Sequence, residues 1–551
     1  MCCPVPVPHQ LIQFWHRKDC TRKTNNRHMT EISLSSIDIA IIIGYFMLII
    51  GIGVWVSKRT ETGEDLFLAG RTLGWGVIGF SLFASNISST TLIGLSGDAY
   101  RTGISVANYE WMAAIVLILM AVFFIPYYIK SSITTIPEFL ENRFDVRSRK
   151  YFSIITIFLS IAVDTAGGLY AGALVVQVFF PEIGIWYTIL GLGIFAGLYT
   201  AAGGLKAVVY TDVLQAVILL TGSTILTVLM FSNFDFSWEA FRSTVSDDHM
   251  SMIRPLDDEA LPWLGTLIGV PILGFYYWAT NQYIVQRVLG ARDIKNARWG
   301  AMLGGALKVT ALFIMVIPGA MAISVFPGLE DPDMVFPTMV ANVLPIGITG
   351  LVLAGLISAI LSSIDSTLNS ASTLITMDFV KPKNPNLDNK QIGKIGRWTT
   401  IILMLVAVLW APNIVHFEGI FRYIQQAFSY IVPPVVAIFF MGILWKRGSR
   451  HAAFWTLVSG HSISFLIFIL SINGYIELHF TITAGLLTAL SFLIFYLISI
   501  FGEAPEEGSM DTIIWKPKDA KPSEPLPWYK DYRFHSAMIV LATVAIVIAF
   551  W

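Results

Sequence analysis

The sequence predicts an all-α polytopic membrane protein, and three observations carry the prediction. Of its 551 residues, 55% are hydrophobic and only 13% are charged. About fourteen apolar segments are long enough to cross a bilayer as helices. Some of those segments are broken at membrane depth by runs of Ser, Thr, Asn and Gly, which compete for backbone hydrogen bonds and make poor continuous helix. The formal net charge is −1 and no basic stripe points to nucleic acid. All three cysteines, Cys2, Cys3 and Cys20, lie in the first twenty residues, so the membrane body holds neither a disulfide nor a thiolate metal site.

Taken in order, residues 1–35 read as a disordered or misassigned leader. No apolar run of signal-peptide length meets a cleavage site, and Met29 with its polar lead into Ile37 is a more natural start. The segments follow at 36–57, 73–98, 104–129, 150–178, 183–201, 205–231, 261–288, 294–326, 346–379, 392–412, 418–445, 451–472, 478–501 and 534–551. Loops after the odd-numbered segments carry the basic clusters Lys58-Arg59, Arg147/Arg149-Lys150, Arg292/Lys295/Arg298, Lys381/Lys383/Lys390/Lys394 and Lys446-Arg447. The positive-inside bias makes those loops cytoplasmic and predicts a multi-pass protein of the cell (inner) membrane with both termini extracytoplasmic. The basic leader conflicts with that orientation. Residues 232–260 form an acidic outer loop, partly helical, and residues 502–533 a Pro-, Lys- and Glu-rich cytoplasmic tether.

The stretch that organises the rest is Ser81–Gly97, whose middle reads Ser85-Asn86-Ile87-Ser88-Ser89-Thr90-Thr91. Irregular backbone at membrane depth is tolerated only where protein buries it or a watery cavity meets it. A second break lies five segments later, at Gly274–Gln282. Two five-helix halves of opposite orientation, 73–231 and 261–445, each opening on a broken helix, are the inverted-repeat layout of secondary transporters. Residues 36–72 then supply an extra first helix and its loop, 232–260 the loop between halves, and 446–551 three additional helices.

Ionisable groups at membrane depth cost about 2.5–3.5 kcal/mol on insertion scales, so each needs a reason. Lys308 sits too deep in its segment to snorkel; it serves function or pairs with Glu110. Glu110 is also readable as an interfacial carboxylate, and Asp212 as a helix N-terminal charge. Asp164 lies mid-segment beside Thr165. In the ninth segment Ala359, Ser362, Ser363 and Ser366 share one helical face, a stripe of oxygens and small groups that suits a hard cation such as Na⁺ or plain helix packing. Gln425, ahead of Pro433-Pro434, suits a solute hydroxyl or a helix–helix hydrogen bond.

The chain resembles the sodium/solute symporter family, in its sodium/glucose cotransporter branch. The matches are Asp65–Arg71, the Ser85-Asn86-Ile87-Ser88 break, Tyr109-Glu110-Trp111-Met112, Thr135–Phe139, Gly203-Gly204-Leu205 with Tyr210-Thr211-Asp212, Asn281-Gln282 with Gln286-Arg287, and Asn369-Ser370 with Thr376-Met377-Asp378. The resemblance implies a LeuT-type fold of ten core helices with one before and three after. It implies a sodium site from the carbonyls of Ala84, Ile87 and Ala359 and the hydroxyls of Ser362 and Ser363. It implies a sugar pocket from Asn86, Glu110, Lys308 and Gln425, with Tyr277 as inner gate and Trp278 beside it. Thr91, Asp164 and Asn281 join the candidate lining. Thr90, Thr91, Gly274 and Asp164 depart from the pattern of sugar carriers, so glucose, another hexose or an inositol stays open; Asp164 disfavours a sugar acid. Asp212, Asp365 and Ser366 form a candidate second cation site, for two Na⁺ or one Na⁺ and one H⁺ per solute; alternatively Asp365 pairs with Lys or Arg along an inner water path.

The expected function is Na⁺-coupled symport of a small polyhydroxylated solute, most readily a monosaccharide, by alternating access. The alternatives are a sodium/inositol or other organic-solute symporter and a non-transporting sugar sensor. No channel filter motif is present, and no catalytic set converges among the nine scattered histidines. No cofactor is expected beyond Na⁺ as coupling ion. The expected partners are Na⁺, a sugar or polyol, and the lipid bilayer.

Overall fold

A computed structural model describes residues 34–57, 62–87, 89–416, 420–505, 513–522 and 525–551. The expectations for the leader, for Lys58-Arg59 and for Ser88 lie outside the described residues. Among the described residues the chain is helical and has no strand. In order it forms α1 (Ser36–Ser57), α2 (Trp75–Asn86), α3 (Ser89–Thr102), α4 (Ile104–Lys130), α5 (Val146–Gln177), α6 (Ile185–Leu198) and α7 (Gly204–Ser232). Then come α8 (263–280), α9 (Gln282–Leu289), α10 (Ile294–Val325), α11 (Ile348–Lys383) and α12 (Asn389–Ile414). The chain ends in α13 (Ile420–Ile431), α14 (Pro433–Leu444), α15 (Arg450–Ile472), α16 (Phe480–Phe501) and α17 (Tyr532–Ala549).

Ten of these are continuous, long and apolar enough to cross a bilayer, and two bent pairs bring the number to twelve among the described residues. Fourteen were expected. Of the other two segments, 183–201 is helical from Ile185 up to a kink at Gly204, and 261–288 is a helical series interrupted at Asn281, where the backbone is extended. The expected break in the second segment is present: α2 and α3 meet at 53°. Pro433 and Pro434 produce a bend of 55° between α13 and α14, as a missing backbone donor inside a helix should.

The packing of α2 on α10 sets the depth of the site. A Cβ on Gly79 would lie 2.6 Å from Leu303, and one on Gly300 would lie 2.5 Å from Ile78. Hydrogen side chains at these points let the two helices approach closely, the usual device where lipid removes the hydrophobic drive for association. From Gly79 to Asn86 and from Gly300 to Lys308 is about two turns along each helix, so the seam brings Lys308 level with the end of α2.

Gly204, the first residue of α7, has φ 61° and ψ −169°, a region essentially reserved for glycine. A Cβ there would stand 2.5 Å from a Leu66 methyl and 2.7 Å from the Leu66 carbonyl oxygen. Gly204→Ala is expected to destabilise the protein by about 1–3 kcal/mol. The check is the thermal unfolding midpoint in detergent, and a parent-like midpoint would show that the turn relaxes freely.

The two long connections are more tightly held than the sequence suggested. In 232–260 a short helix spans Trp238–Arg242, and Met252 receives a 2.8 Å hydrogen bond from Asn108 while donating one of 2.8 Å to the Phe550 carbonyl. In the 502–533 stretch Trp515 donates to the carbonyls of Val122 (3.0 Å) and Ile443 (2.9 Å), and the buried Arg298 guanidinium binds the carbonyls of Asp519 and Lys521. These contacts strap that stretch across α4, α10 and α14.

Candidate functional site

The α2–α3 break faces a cavity of about 90 Å³. That is small beside the roughly 300–1,000 Å³ of drug-sized sites, so it fits a compact solute. Asn86, Thr91, Glu110, Asp164, Tyr277, Trp278 and Gln425 all line it, as does Ser363. Each comes from a different local device. Asn86 ends α2, and Thr91 closes the break by donating 2.5 Å to the Asn86 carbonyl. Asp164 lies on a π-helical turn of α5 (Leu159–Thr165), and Tyr277 and Trp278 lie on another (Tyr276–Thr280). Such turns are frequent at functional sites because the extra residue re-aims side chains.

Lys308 does not line the cavity. It stands behind the wall, 1% exposed, and its ammonium contacts the Glu110 carboxylate and the Asn86 side-chain oxygen. The same ammonium sits 5.7 Å from the centre of the Trp278 ring. The two readings of Lys308 thus merge: it is paired with Glu110, and the pair holds two wall residues in place. Asn281 is also outside the lining. It caps α9 at the second break, where its side-chain oxygen accepts from the Tyr283 amide at 3.3 Å. Tyr277 is pinned by a 2.6 Å hydrogen bond between its hydroxyl and that of Tyr283.

Ile87 leaves the helical conformation at the end of α2 (φ −80°, ψ 67°), and Ala84, Ile87 and Ala359 are fully buried. Helix α11 runs against α2 there. Ser363 donates to the Ala359 carbonyl at 3.0 Å, and Ser362 donates to Asp212. Both hydroxyl protons are therefore committed, which leaves lone pairs on both oxygens.

The residues named for a second cation site have partners on other helices. Asp212 and Ser366 do meet, but around the guanidinium of Arg287, which lies 3.1 Å from Asp212 and donates to Ser366 at 2.6 Å. Arg287 also donates to Ser81 at 2.7 Å and to the Tyr283 carbonyl, and it is 0% exposed. Asp365 turns instead to Thr200, whose hydroxyl donates to it at 2.5 Å. The physical reason is charge: a buried carboxylate demands a partner, and a guanidinium supplies charge and several donors at once. In the sequence Arg287 stands out only as part of the Gln286-Arg287 motif. Its signal was available, since an arginine in an apolar helix beside a break must find an anion.

Broken helices around a buried polar cavity define a secondary-transporter site. A model of the sodium:solute symporter family matches residues 66–460. The chain is 34% identical over 540 residues to the sodium/myo-inositol cotransporter 2 of Oryctolagus cuniculus, covering 88% of this chain and 79% of that one. It is 35% identical over 478 residues to a sodium/mannose cotransporter of Bos taurus, covering 80% of each. Its fold matches the substrate-bound, outward-open structure of a Na⁺-coupled sialic acid symporter, with a TM-score of 0.76, 23% identity, and coverage of 86% of this chain and 99% of that one. The fold is therefore of the LeuT type. The chain belongs to the sodium:solute symporter family.

Proposed function

We propose that this protein is a Na⁺-coupled symporter for a sugar or polyol, taken up at the cavity beside the α2–α3 break. The reading is carried by the wall of Glu110, Asn86 and Gln425, the first two held from behind by Lys308. Such a wall offers acceptors and amide donors to a ring of hydroxyls, and it rejects analogues lacking them because its own buried groups would go unpaired. The names of the relatives, sodium/myo-inositol and sodium/mannose cotransporter, support the same class.

The coupling Na⁺ is assigned to the carbonyls of Ala84, Ile87 and Ala359 and the hydroxyls of Ser362 and Ser363. An ion held there competes with the Ser363–Ala359 hydrogen bond, so its entry reorganises α11 next to the solute. Crossing about 100 mV contributes roughly 2.3 kcal/mol per charge to uptake. The halves 73–231 and 261–445 serve as the two inverted repeats, and the positive-inside bias supports both termini on the extracytoplasmic side.

Uptake of labelled hexoses and inositols into proteoliposomes, with and without a Na⁺ gradient, tests the function. No Na⁺-dependent uptake of any of them would remove it. Ser363→Ala should raise the Na⁺ concentration for half-maximal transport about tenfold, the equivalent of about 1.4 kcal/mol. Unchanged Na⁺ dependence in Ser362→Ala and Ser363→Ala alike would place the ion elsewhere.

A further inference from the structure

We propose that the preferred solute carries a protonated amine beside its hydroxyls, as an amino sugar or an aminocyclitol does, and that Asp164 receives that ammonium. The proposal rests on the symport reading and narrows its solute class. Two carboxylates line the cavity, Glu110 and Asp164, and they are treated unequally. Glu110 has its counter-ion in Lys308. Asp164 has none from the wall, because no Lys, Arg or His lines the cavity among the described residues. One of its oxygens, Oδ2, is buried without a hydrogen-bond partner among the described residues.

A buried acceptor left bare is costly, so a partner from outside the chain is the economical reading. Three species can supply it. A neutral polyol donates O–H but leaves the charge in the membrane interior uncompensated. A proton neutralises the carboxylate, but the resulting acid then needs an acceptor of its own. An ammonium supplies the charge and up to three donors together. The remainder of the wall suits a cation as well. Tyr109, Tyr277, Trp278, Tyr283, Phe421 and Phe428 line the cavity, with Tyr277–Trp278 ring centres 5.1 Å apart and Tyr109–Phe421 5.2 Å apart. Aromatic faces attract ammonium groups, most strongly where water is excluded.

The test compares D-glucosamine, N-acetylglucosamine, D-glucose and myo-inositol in the full-length protein, by Na⁺-driven uptake in proteoliposomes and by ligand-induced thermal stabilisation in detergent. The parent should prefer glucosamine over glucose and N-acetylglucosamine by at least about tenfold. Asp164→Asn should bring the glucosamine-to-glucose ratio toward one, and Asp164→Glu should restore part of it, which a fold defect would not. A parent ratio near one, with glucose or inositol taken up on Na⁺, overturns the amine and leaves the symport reading intact. Neutral-solute uptake that falls as pH rises in the parent but not in Asp164→Asn assigns the charge to a proton and also overturns it. Binding of glucosamine that depends on Asp164, without uptake of any solute, upholds the amine site and removes symport. Neither binding nor uptake of glucosamine overturns the proposal outright.

Discussion

Lys308→Met is expected to abolish measurable uptake and to weaken solute binding by more than about a hundredfold. Lys308 is buried in α10 with its ammonium against the Glu110 carboxylate and the Asn86 side-chain oxygen. Removing one partner of a buried ion pair costs about 3–5 kcal/mol, chiefly because the remaining charge has lost its compensation. In this protein that charge belongs to a cavity wall, so the damage falls on solute recognition as well as on the fold. Solute affinity by calorimetry and uptake by counterflow check the first part. The double variant Glu110→Gln/Lys308→Met checks the second: it should regain thermal stability lost by the single variant without regaining affinity. Parent-like solute affinity in Lys308→Met would show that the ammonium has no part in holding the wall.

The second large effect concerns Arg287. Its guanidinium ties Ser81 of α2, Asp212 of α7 and Ser366 of α11 to α9, which follows the second break. Arg287→Gln should lower stability by about 3–5 kcal/mol and eliminate uptake, since Asp212 would keep the serine hydroxyls that donate to it but lose its counter-charge while still buried. Asp212→Asn should do the same from the other side, and the two losses should combine to much less than their sum. The thermal midpoint of each purified variant is the measurement. Additive losses would show that the two charges act independently. Parent-like midpoints in both single variants would reduce the knot to a contact without energetic weight.

Much of this site was legible before the fold. Small polar residues in an apolar run marked the α2–α3 break. Glu110 and Lys308 stood out because charge at membrane depth needs a reason, and their pairing was already a candidate. The number of spans was less legible, because apolar content does not show where a segment bends or is interrupted, as it is at Asn281. The partners of the candidate second cation residues were not legible for a related reason. One helical face can be read from spacing, but which groups on other helices neutralise it cannot. Arg287 reaches Ser366 and Asp212, and Thr200 reaches Asp365, across helices distant in sequence.

By itself the sequence determined the class of protein, the positions of the breaks and the set of ionisable groups that the bilayer would not leave unpaired. These follow from local rules, namely hydropathy, backbone competition and desolvation, that act without regard to partners. The tertiary structure alone decided the partners. It placed Lys308 behind the wall, handed Asp212 to Arg287 and left Asp164 facing the cavity with an unsatisfied oxygen. Which charges meet depends on how closely helices approach, and that distance is set by packing at points such as Gly79 and Gly300, far along the chain from the groups it brings together.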